Sequence, residues 1–117
     1  MNIKIKDIKV LESVLIHGFD KKLIAILSWL LKLKKKIVIT GGYRPKQHRN
    51  DLHGQIPVRA IDIRSWIYLK PQKLADKINF AWIYDSTRPN MKVAIYHKIK
   101  NGAWHLHIQV CARTRQR

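Results

Sequence analysis

The sequence predicts an α+β domain in which helices pack on a small, mostly antiparallel sheet. Three observations predict it: an apolar stripe at helical spacing over residues 20–34, a later helical stretch opened by a proline at position 71, and short strand-like runs at 37–40, 60–64, 92–97 and 104–111. With 117 residues, of which 46% are apolar, the chain can bury one modest core and not two. A single domain over 1–117 is expected, with a frayed basic tail from about 112 to 117 that carries almost nothing apolar.

Asp20 is a good N-cap, because its carboxylate can accept from the free amides of a helix's first turn. Leu23, Ile26, Leu27, Leu30 and Leu33 then recur on one face. Lysines close the last turn, where cations complement the helix dipole. The apolar run 23–33 is shorter than the roughly 18–20 residues of a spanning helix, so no transmembrane segment is expected. Lys34, Lys35 and Lys36 follow where a signal peptide would place small residues, so no export signal is expected either.

Residues 37–40 read as a short buried strand, ended by Gly41-Gly42 and an Arg44-Pro45 turn. A polar loop to about 57 leads into the alternating run 60–64. The second helix runs from 71 to about 82, with proline in the first turn, where its missing N–H costs nothing. Residues 92–97 and 104–111 form a hairpin, with Asn101-Gly102 as the turn signal. A period of two sends Trp104, Leu106, Ile108 and Val110 to the core face and His105, His107, Gln109 and Cys111 to the other.

Twenty-four Lys and Arg against seven Asp and Glu give a net charge of +17, which draws in anionic partners such as nucleic acid, anionic lipid or cell-wall polymer. The lysines are spread along the chain, so charge alone selects no function. The single cysteine, Cys111, excludes an intramolecular disulfide and a multi-cysteine zinc site.

Four of the six histidines, His48, His53, His105 and His107, lie in or beside segments that also carry isolated Asp, Arg and Trp. Catalytic zinc takes three ligands from histidine and carboxylate and leaves a fourth position to water; His53, Asp62 and His107 can supply that set. Cys111 lies roughly 13 Å along the strand from His107, too far to share the site. Asp51 and Asp85 read as polar loop residues.

Thr40-Gly-Gly-Tyr-Arg-Pro, His53-Gly, Arg59-Ala-Ile-Asp62-Ile-Arg and Trp104-His-Leu-His107, in that order, resemble the active-site pattern of the D-alanyl-D-alanine carboxypeptidase and Hedgehog-like zinc metallopeptidases, most closely their short phage-type members. The resemblance runs from about 37 to 110. It implies a Hedgehog/DD-peptidase-like fold, zinc as cofactor held by His53, Asp62 and His107, and Tyr43, Arg44 and Trp104 on the substrate. Arg44 would hold a carboxylate or carbonyl oxygen, and His105 would sit beside the attacking water.

Two departures stand out. His53 and Asp62 are nine positions apart where the family has seven, which makes His48 a rival ligand. Many members place a glutamate base shortly before the last histidine, but Glu12 is the only glutamate here and Asn occupies position 101. His105, or His97 on the neighbouring strand, would then take the proton, as neutral imidazoles can. The resemblance implies a monomeric hydrolase of peptidoglycan peptide, drawn to the anionic cell wall by its charge, cytoplasmic until released to the wall or phage-associated. The alternatives are a zinc-stabilised binding module without catalysis and, with less support, a basic nucleic-acid-binding protein.

Overall fold

The computed structural model describes residues 3–10, 12, 18–33, 35–42, 57–98 and 102–117. In chain order these form β1 (Ile3–Ile5), α1 (Lys21–Lys32), β2 (Ile37–Gly41), β3 (Ala60–Arg64), α2 (Pro71–Ala81), β4 (Trp82–Ile83), β5 (Ala94–Lys98), β6 (Trp104–Gln109) and β7 (Arg115–Gln116). Residues 8–10 are also helical. The main sheet has the order β1-β2-β3-β6-β5, and β4 pairs with β7 in a separate two-stranded ribbon. The fold is α+β with a mixed sheet. Its one parallel pairing, β1 with β2, spans the crossover that contains α1, and the other three pairings are antiparallel.

The Asp20 carboxylate caps α1, accepting from the Lys22 amide at 2.9 Å. Leu23, Ile26, Leu27 and Leu30 are buried; each such side chain contributes about 1.5–3 kcal/mol. They join Ile37 and Ile39 of β2, Ile61 and Ile63 of β3, Leu106 and Ile108 of β6 and Leu74, Ala75 and Ile78 of α2 in one apolar cluster. The approach to α1 is pinned to the approach to β3. Val58 N donates to Gly18 O, and Asp20 N donates to Val58 O. Gly18 holds φ +67°, a left-handed conformation that glycine adopts without steric cost.

Three expectations are corrected. The C-terminal residues do not fray. Thr114 is buried, its hydroxyl donates to Tyr84 O and accepts from Cys111 N, Lys22 Nζ bonds Thr114 O, and β7 pairs with β4. Polar side chains anchor a tail whose one apolar residue is Ala112. Cys111 leaves the histidine face because β6 ends at Gln109; its thiol donates to Tyr84 O inside the core. Trp104, expected in the core, is 49% exposed. It has the parity of Leu106, but it lies at the sheet's end opposite Lys98 and rests on Tyr96, with ring centroids 4.8 Å apart.

Among the described residues no helix is long and apolar enough to cross a membrane.

Candidate functional site

With the core beneath one face of the sheet, alternation leaves Asp62 and Arg64 of β3, His105, His107 and Gln109 of β6 and His97 of β5 on the opposite face. Register then decides which of them meet. Asp62 lies directly across from His107, Arg64 across from His105, and His97 across from His105 on the other side. Two of the three expected metal-holding residues, Asp62 and His107, therefore converge.

Asp62 is buried, its side chain 10% exposed, and its carboxylate presents one oxygen to two imidazoles. Its Oδ1 is 3.1 Å from His107 Nδ1 and 3.3 Å from His105 Nε2. It can lie this deep because of Gly41. A Cβ at that position would come within 3.0 Å of Asp62 Oδ2, and β2 shifts register there. Thr40 Oγ1 donates to the Asp62 backbone carbonyl at 3.3 Å.

Gln109, buried two residues beyond His107, holds the histidine's far nitrogen. Its side-chain nitrogen donates to Lys92 O at 2.8 Å, which turns its oxygen toward His107 Nε2 at 3.0 Å. A proton on Nε2 donated to that oxygen leaves the Nδ1 lone pair of the neutral ring facing the Asp62 carboxylate. Two lone pairs at 3.1 Å repel unless a cation, a proton or a metal ion, sits against both. A tetrahedral zinc site with ligand distances of about 2.0–2.1 Å has edges of about 3.3 Å, close to the 3.1 Å between Asp62 Oδ1 and His107 Nδ1. A histidine that donates its remote N–H to a fixed acceptor is also the usual arrangement of a metal-ligating imidazole.

His97 stands edge-on to both neighbours, its ring centroid 4.5 Å from that of His105 and 5.9 Å from that of His107. Its Nε2 is buried with no hydrogen-bond partner among the described residues. Burial, and secondarily His107, push its pKa below the usual histidine value, and Asp62 opposes them. Its neutral form is thus favoured.

A cleft of about 450 Å³ opens beside Asp62 and His105, bounded by Lys6, Thr40, Arg64, Trp66 and Trp104. Asp62 is the one carboxylate lining it among the described residues. The Arg64 guanidinium lies 5.0 Å from the centre of the Trp66 ring.

Among the described residues no group of three His, Cys, Asp or Glu is arranged to hold a metal. Asp62 and His107 would need a further donor. His53 and its rival His48 lie outside the described residues, as do Tyr43, Arg44, Asp51 and Asn101. His105 is near the expected ligands, but in contact with the Asp62 carboxylate itself. The sequence alone placed Gly41 only at the end of a strand and gave Gln109, Arg64 and Lys6 no role at the site. Gln109 had a signal in its period-two spacing from His105 and His107, whereas Lys6 had none. Asp85 serves a loop, as expected, accepting from Thr87 N and Oγ1 and from Arg88.

No family model matches the chain, and no curated protein and no solved structure matches it.

Proposed function

We propose that the protein is a zinc-dependent hydrolase of the D-alanyl-D-alanine peptidase type, cutting a peptide bond in bacterial peptidoglycan peptide, with His53, Asp62 and His107 as metal ligands. One observation carries the reading: Asp62 Oδ1 and His107 Nδ1 face each other at 3.1 Å while Gln109 holds the far nitrogen of the same ring. The donor set, one carboxylate and imidazoles, suits zinc. Bound zinc would supply Lewis acidity and activate water near neutral pH.

The chain's own groups do the rest. Gln109 orients His107, and Gly41 leaves room for the Asp62 carboxylate. As the resemblance implies, His105 would take the proton, with the neutral His97 ring edge-on to it as the second candidate. Lys6 and Arg64 make the cleft positive where negative charge develops on a substrate carbonyl oxygen, a task that Arg44 would share. Tyr43 and the half-exposed Trp104 would flank the substrate. The net charge of +17 favours an anionic cell wall, and the protein would act as a monomer.

The test is zinc content of protein purified without added metal, for wild type and for His53→Ala, Asp62→Ala and His107→Ala, followed by release of peptide from purified peptidoglycan. One zinc per chain, lost in each variant, with release by the wild type alone, is expected. Absence of zinc in the wild type overturns the reading. A second reading, a zinc-stabilised binding module without catalysis, draws support from the cleft, where Asp62 is the one carboxylate among the described residues. Zinc retention with no peptide release would select it.

A further inference from the structure

The segment between β3 and α2 carries side chains that the proposed hydrolase does not use. Leu69 is 102% exposed and Trp66 71%, and on α2 Phe80 is 81% exposed. These are not frayed ends. Ser65 Oγ donates to Trp104 O at 2.9 Å, Tyr68 N donates to Ser65 O, and the Tyr68 hydroxyl donates to Lys36 O. Burial holds the Tyr68 phenol up to about 12, so this donor stays protonated at any physiological pH. The loop is braced at its base and presents an apolar tip.

Beside that tip runs a groove of about 430 Å³ whose floor is Ile67, Tyr68 and Leu74 and whose rim is Lys35, Lys70, Lys73 and Lys77. Lys73, Lys77 and Phe80 recur at helical spacing along one exposed stripe of α2. Among the described residues no carboxylate lines the groove, and the one acidic residue of α2, Asp76, accepts from Gln72 instead.

We infer that loop 66–70 and the lysine stripe of α2 form a docking surface for an anionic lipid membrane, with Leu69 and Trp66 entering the headgroup region and Lys70, Lys73 and Lys77 lying on the phosphates. The combination selects the partner. A polyanion such as nucleic acid or wall polymer would engage the lysines but leaves Leu69 and Phe80 in water, and an apolar protein surface would strand the lysines. A bilayer with anionic headgroups takes both, since lysines add attraction to its surface and Trp, Tyr and Leu settle at its boundary. Trp66 also borders the cleft beside Asp62, so docking would hold that cleft against the surface. The inference does not depend on zinc or on catalysis.

The experiment is co-sedimentation with vesicles of phosphatidylglycerol and phosphatidylcholine in equal parts, and with pure phosphatidylcholine vesicles. Wild type should bind the mixed vesicles and not the neutral ones. Lys70→Gln/Lys73→Gln/Lys77→Gln should weaken binding on the order of 100-fold. Leu69→Ser should weaken it about tenfold while leaving binding to soluble dextran sulfate unchanged. Lys4→Gln/Lys9→Gln/Lys92→Gln removes equal charge from exposed positions elsewhere and should retain most of the affinity. All the substituted side chains are exposed, so far-UV circular dichroism should stay unchanged. Absence of wild-type binding, equal loss in the two lysine triples, or indifference to Leu69→Ser would each overturn the inference, the last two in favour of a diffuse polyanion attraction.

Discussion

The side-chain oxygen of Gln109 lies 3.0 Å from Nε2 of His107, and Gln109 can turn only that end toward the ring because its nitrogen is committed to Lys92 O. A neutral amide thus helps to decide which nitrogen of His107 faces Asp62. Substituting Gln109 by Leu removes that constraint while keeping the side chain's bulk. Zinc affinity, read by competition with a chromophoric chelator, should fall about 10–100-fold, with far-UV circular dichroism unchanged.

At Gly41 the space for a methyl group is already taken by the Asp62 carboxylate, 3.0 Å from where a Cβ would stand. Gly41→Ala should push that carboxylate out of line with His107 and lower both zinc content and stability. A loss of about 1–3 kcal/mol in urea unfolding is expected, the usual cost of overpacking.

Leu106 sits between the two histidines of β6 in sequence but on the opposite face, and it is fully buried. Leu106→Ala should cost about 2–5 kcal/mol in urea unfolding. At low temperature, where the variant is still folded, zinc content should persist, which separates the face that holds the fold from the face that holds the site.

Asp85 accepts from the hydroxyl and amide of Thr87 and from Arg88. These contacts, the Thr87 hydroxyl first, lower its pKa from 3.8 to about 2 against an opposing effect of burial. A carboxyl depressed in the folded state stabilises the fold fully above its unfolded value, and that contribution drains away as pH falls through the folded one. Asp85→Asn should therefore lower the urea midpoint at neutral pH and flatten its decline between 3.8 and about 2.

Thr114 ties the C-terminal strand to the core through Tyr84 O and Cys111 N. Thr114→Val keeps the shape and removes both bonds, leaving the buried Cys111 N–H without that acceptor while Tyr84 O keeps the Cys111 thiol. Unfolding free energy should drop by about 1–3 kcal/mol. Amide exchange at Arg117, which donates to Ala81 O, should accelerate before the rest of the sheet.

Most elements were legible because each rests on local signals. The Asp20 cap, the leucine stripe of α1, Pro71 at the start of α2 and the alternation of β3, β5 and β6 are properties of neighbouring residues, and each appears, although Leu33 stands just past α1, β5 covers 94–98 rather than 92–97 and β6 ends at Gln109 rather than at 111. β1 went unread although Ile3, Lys4 and Ile5 alternate, because a three-residue strand is stabilised by its parallel partner β2 rather than by its own pattern.

The sequence by itself determined the α+β class and which residues of β6 share a face, because a strand's period of two is a covalent property of its backbone. It also marked Asp62 and His107 as metal-site candidates. Only the tertiary structure decided that these two meet, because a register between strands 45 positions apart depends on how the whole core packs. Tertiary structure likewise turned Gln109 from a polar residue on a strand into the group that orients His107. It moved Cys111 into the core and Trp104 out of it, since burial at the ends of a strand depends on what lies above the sheet, which no local pattern encodes.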